Sequence, residues 1–165
     1  MPSDDEITAA YDEGKRSWPG IVAAVEPFAR MVRDNGVTAD GMRQWPGDLY
    51  LACAAAHGDA VAIREIGARY LSRLPARIRR LGSQPEAVAD ALQAVRERLF
   101  AGPAARIGSY NAAGPLEQWI KVVAIRTAID MHRKDAAVPR AELAWPSAGL
   151  DRASTPRSRT PTGPR

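Results

Sequence analysis

The sequence predicts an all-α fold, a helical bundle without a β-sheet. Three observations carry this. Apolar residues recur at spacings of three and four through most of residues 19–134. No run alternates apolar and polar residues for long enough to make a strand. The breaks between periodic stretches fall at punctuation such as Asn35-Gly36, Pro46-Gly47 and Gly58. Hydrophobic residues make up 45% of the chain but aromatics only 6%, so Ala, Leu, Ile and Val must fill the core.

Taken in order, residues 1–17 read as a loose acidic leader with one frayed turn around residues 7–11. A helix is expected from Pro19, with Ile21, Val25, Phe28 and Met31 or Val32 on one stripe and Pro27 placed to bend it. VTADGMRQWPG follows as a turn-rich connection. DLYLACAAAHG is a helix with Asp48 as its N-cap. The next helix is capped by Asp59 and carries Val61, Ile63, Ile66, Tyr70, Leu74, Ile78 and Leu81. Pro75 should kink or split it. Ser83, Pro85 and Glu86 read as a capped helix start. PEAVADALQAVRERLF then buries Val88, Leu92, Val95, Leu99 and Phe100. AGPAARIGSYNAAGP is a loop, and the last helix runs over 115–134. Residues 136–165 are Pro-, Arg-, Ser- and Thr-rich and are expected to be a disordered basic tail after a short stub. The middle, 18–135, is one domain.

Composition narrows the chemistry. One cysteine, Cys53, excludes an internal disulfide and suits a reducing cytoplasm. No apolar run approaches a membrane span, and the acidic start has no signal core. Cys53 and His57 have the spacing of a helical metal pair, but no further Cys/His cluster completes a site. There is no phosphate loop, GxSxG or HExxH motif. No catalytic residue, metal or cofactor is expected, and an enzyme is not expected. The formal charge of +4, with a pI near 9.6, permits an anionic partner without requiring one.

The last helix is the most informative segment. Leu116, Ile120, Val123 or Ala124, Thr127 or Ala128 and Met131 form its apolar stripe. Lys121, Arg126, Arg133 and Lys134 lie elsewhere around it, with Asp130 spaced to pair with Arg126 or Arg133. Two readings stand side by side. One is a core helix with a solvated basic end. The other is a phosphate-contacting face, joined by Arg106, Ser109, Tyr110 and Asn111 on the preceding loop.

Three stretches together resemble region 2 of the sigma-70 family of RNA polymerase sigma factors, of the extracytoplasmic-function type. DALQAVRERLF is similar to the family's DLVQEVFLRLW helix. GPLEQWIKVVAIRTAIDMHRK is similar to xFxAWLxxIARNxxxDxxRR, with Trp119, Ala124, Asp130, Arg133 and Lys134 on matching positions. GDAVAIREIGARYLSRLPARIRRL is similar to the first region 2 helix. The resemblance covers about residues 18–135, and the layout is most like a sigma-factor-like group from myxobacteria.

The resemblance implies a transcription-initiation role. Asp90, Gln93, Arg96 and Glu97 would lie on or near a face that docks the clamp coiled coil of core RNA polymerase. Arg106, Ser109, Tyr110 and Asn111 on the loop, with Trp119, Lys121, Arg126, Arg133 and Lys134 on the helix, would bind the nontemplate strand of the promoter minus-ten element. Trp119 is either a core anchor or a base-stacking platform. An anti-sigma factor is a further implied partner. The chain departs from the family at Ala94, Arg96 and Arg126, and no second, helix-turn-helix domain is expected after Lys134. That departure keeps an alternative open: a truncated sigma-like interaction protein that binds polymerase or an anti-sigma partner without initiating transcription.

Overall fold

The structure is a computed structural model and describes residues 1–103 and 105–135. Among the described residues it is all-helical. The helices are α1 (Asp4–Ser17), α2 (Val25–Asp34), α3 (Ala39–Gln44), α4 (Pro46–Ala56), α5 (Ala60–Arg69), α6 (Leu74–Arg79), α7 (Pro85–Phe100) and α8 (Leu116–Asp135). The tail expected at 136–165, with its stub, lies outside the described residues.

The centre of the bundle is α4, where every residue from Leu49 to Ala55 is buried. Such an all-round apolar helix must be covered on every side. α1 provides one side. The segment expected as a loose leader is in fact a full helix, for two reasons legible in its residues. Ser3 and Glu6 form a reciprocal capping box: the Ser3 N–H donates to Glu6 Oε2 at 2.9 Å, and the Glu6 N–H donates to Ser3 Oγ at 3.3 Å. Ile7, Ala10 and Gly14 then share one buried face. At Gly14 the crossing with α4 is so close that a Cβ would stand 2.5 Å from Tyr50 Cβ and 2.7 Å from Pro46 O.

The helix expected from Pro19 begins only at Val25. Tyrosine hydroxyls hold the chain before it in a non-helical path. Tyr50 donates to Ile21 O at 3.0 Å and accepts from the Ala23 N–H at 3.1 Å, while Tyr11 donates to Ala23 O at 2.8 Å. Pro27 therefore sits in a first turn, where its missing N–H costs nothing, and does not bend the helix. The turn-rich stretch 37–47 contains α3, capped by Thr38 accepting from the Gly41 N–H at 3.1 Å. Asp59 caps α5 as expected, accepting from the Ala62 N–H at 2.8 Å.

Of the two outcomes expected at Pro75, the helix is split and not kinked. The helix ends at Arg69, a short 3-10 turn covers Leu71–Arg73, and Pro75 lies in the first turn of α6. Ser83 is not the cap of α7. Gln84 holds that position without a side-chain bond, and the Ser83 hydroxyl instead hydrogen-bonds His132 Nε2, tying the start of α7 to the end of α8. α7 buries Val88, Ala91, Val95 and Leu99, leaving Leu92 and Phe100 half-buried.

Candidate nucleic-acid interface

α7 and α8 pack side by side, and the loop between them is pinned from several directions. Ile107 and Tyr110 are fully buried, and Ala112 is buried in a left-handed conformation with φ 54°. Asn35 Nδ2 donates to Gly108 O at 2.7 Å and to Tyr110 O at 3.1 Å. Asp48 of α4 accepts from the Leu116 N–H at 2.8 Å and so caps α8. Asp48 was expected to cap its own helix. α4 starts three residues earlier, at Pro46 with Trp45 in the N-cap position, which frees the carboxylate for α8. Burial raises the Asp48 carboxyl above its ordinary value, and the Leu116 N–H offsets part of that rise.

This packing changes the roles open to the loop residues. Tyr110 is not an exposed aromatic. Its ring is buried, its hydroxyl donates to Gly114 O at 2.6 Å, and burial pushes the phenol strongly up. The Ser109 hydroxyl donates to Arg106 O at 2.8 Å, and Asn111 Oδ1 accepts from the Ala113 N–H at 3.2 Å. Both side chains close the turns of their own loop. Arg106 alone of the four projects into a cavity beside α8.

That cavity, about 180 Å³, is lined by Arg98, Arg106, Trp119, Val122, Val123, Arg126 and Asp130. Trp119 meets Tyr110 edge-to-face, with ring centroids 5.9 Å apart and planes at 72°. It is half-buried, so it anchors to the core and lines the cavity at once. Three guanidinium groups ring it. Arg98 reaches across from α7 to Asp130 Oδ2 at 3.4 Å and Thr127 Oγ1 at 3.3 Å. Asp130, expected to pair along its own helix, is paired between helices instead.

Sequence spacing does not point to Arg98. The signal was its place on the helix that packs against α8, which spacing within one helix cannot show. The expected cation set also divides. Lys121 is turned away, only 14% exposed and bound to Glu117 at 2.8 Å. It lies five residues before Arg126, hence about 140° round the helix. Arg133 follows Arg126 by two turns on the same face and is exposed, as is Lys134.

On α7, Asp90, Gln93 and Glu97 share one exposed face, where Gln93 Nε2 donates to Glu97 Oε1 at 3.2 Å. Arg96 is exposed but leans toward α5, its guanidinium lying over Gly67.

Other places carry less chemistry. A cavity of about 320 Å³ between α1 and α3 is lined largely by Ala9, Ala10, Ala39, Met42 and Pro46. Cys53 is buried, and its thiol is pushed up to about 12, which makes it inert. His57, at the C-cap of α4, bonds Cys53 O of that helix through Nδ1 at 2.8 Å. No group of three metal-ligating side chains occurs among the described residues, and none of their helices is long and apolar enough to cross a membrane. Compared with protein-family models, curated proteins and solved structures, the chain matches none.

Proposed function

We propose that the chain is a sigma-like region 2 protein that binds single-stranded promoter DNA at the minus-ten element and docks on core RNA polymerase. The observation that carries this is the convergence of Arg98, Arg106 and Arg126 around Trp119 at one groove. Guanidinium groups bind phosphates through paired N–H donors, and an indole gives an unpaired base a surface to stack on. The action is non-covalent. The strand lies along α8 from the groove toward Arg133 and Lys134, and one base enters beside Trp119. The family resemblance supplies the target: the promoter's nontemplate strand, with the polymerase doing the chemistry. Asp90, Gln93 and Glu97 form the docking face in this reading.

The testing experiment is binding of fluorescent nontemplate-strand oligonucleotide to the wild type and to Arg106→Glu/Arg126→Glu. The charge reversal should abolish binding without lowering thermal stability. Unchanged affinity would sink the reading.

A further inference from the structure

We infer that the arginines of α6 and the turn before it form a second phosphate-binding surface, separate from the groove, that takes the backbone of duplex DNA. Residues 60–84 hold six arginines (64, 69, 73, 77, 79 and 80) against one acidic residue, Glu65. Glu65 is already bound by Arg69 at 2.9 Å, and that guanidinium lies 4.8 Å over the Trp18 ring. Arg73 reaches Glu117 at 3.5 Å, but Lys121 holds the same carboxylate at 2.8 Å. The Lys121 hydrogen bond lowers the Glu117 carboxyl most, with the Lys121, Arg73 and Arg77 charges adding to it. One carboxylate thus faces three cations. Among the described residues Arg77, Arg79 and Arg80 have no ion-pair partner, and all three are exposed.

The fold arranges these charges in a row. Leu74 and Ile78 are buried at 1% and 0% exposure, so α6 turns its apolar side inward. Arg73, Arg77 and Arg80, spaced by four and three, are left on the outward side, with Arg79 next to them. The row spans roughly 10 Å, the reach of about three phosphates at about 3.4 Å of rise per strand. Arginine's planar fork suits phosphate better than a point charge does.

Duplex fits better than the alternatives. Unlike the groove, the row has no free aromatic beside it: Trp18 is covered by Arg69, and Tyr70 is half-buried. A backbone-only surface of this kind reads phosphate spacing and not bases. A bilayer needs an apolar face to enter; here Leu74 and Ile78 are already used in the core, and Leu81 by itself, 43% exposed beside Arg80, makes no such face. The row adjoins the Glu117–Lys121 side of α8, away from Arg126. The two surfaces are therefore separable by mutation.

The test uses the full chain, a blunt duplex of random sequence and a single-stranded oligonucleotide, titrated across a salt series. Arg77→Ala/Arg79→Ala/Arg80→Ala should weaken duplex binding by about tenfold or more and flatten the log–log salt slope by about 2 to 3. Single-strand binding should stay near the wild-type value. The triple Arg→Lys variant should recover most of the slope, which a folding defect would not allow. Unchanged duplex affinity overturns the inference. So does equal loss on both probes, or a wild type that ignores duplex but binds phosphatidylserine vesicles. Failure of Arg106→Glu/Arg126→Glu to reduce single-strand binding would instead remove the groove reading and leave this surface standing.

Discussion

The carboxylate of Asp48, near the start of α4, accepts a hydrogen bond at 2.8 Å from the backbone N–H of Leu116, the first residue of α8. The central helix thus caps the helix that carries the groove. The cap is also a half-buried charge, raised in pKa mainly by desolvation.

Asp48→Ala should cost about 1–2 kcal/mol, because it leaves a buried N–H without an acceptor. Asp48→Asn keeps an acceptor and removes the charge, so it should be far milder. The sign of the pH effect follows from the raised folded-state value. Between the unfolded and folded pKa values the native state holds the extra proton, so wild type loses stability relative to Asp48→Asn as pH rises through that window. Denaturant melts of both proteins from acid to neutral pH check this, and a wild type that gains on the variant with rising pH would contradict it.

Gly14 is where α1 and α4 touch backbone to side chain. A methyl there would meet Tyr50 Cβ and the Pro46 carbonyl, neither of which is the free end of a flexible side chain. Gly14→Ala should therefore destabilise by about 1–3 kcal/mol despite alanine's better helix propensity. Gly20→Ala, in a turn with nothing nearby, is the control for adding a methyl in open space. Thermal melts that rank the two equally would show that α1 is not held as described.

Lys121 and Arg126 should behave oppositely although both are cations of α8. Arg126→Ala removes a groove guanidinium and should flatten the salt slope for single-strand binding by about 0.7 per lost phosphate contact. Lys121→Met keeps the buried stem and loses the pair with Glu117, so it should leave that slope unchanged. Fluorescence titrations at several salt concentrations separate them.

On the proposed reading, the wild type captures core RNA polymerase through α7, and Asp90→Arg/Gln93→Ala should abolish that capture, whereas Arg96→Ala should not, because Arg96 lies toward α5 and off the face shared by Asp90, Gln93 and Glu97. A pull-down at physiological salt reads both. Equal loss in the two variants would mean that docking uses a different face.

The sequence alone determined the all-α class, helices over the stretches now seen as α4, α5, α7 and α8, the Asp59 cap and a stripe on α8 through Leu116 and Ile120. These follow from periodicity and capping, which act within a few residues. It also carried signals that spacing undervalued: the Ser3–Glu6 capping box of α1 and the Thr38 cap of α3, both local. What only the tertiary structure decided is long-range. Between Val123 and Ala124 the packing buries Ala124, and it buries both Thr127 and Ala128. Tyr50 and Tyr11 hydroxyls keep residues 21–23 out of a helix their own pattern allows. Asn35 and the core claim Tyr110, so a residue that reads as a loop aromatic becomes a packing group. Arg98 joins the groove and Lys121 leaves it because partner choice depends on which helices lie side by side. A side chain's spacing fixes its direction around its own helix, but its role depends on what occupies that direction, and here the occupant is supplied from tens of residues away.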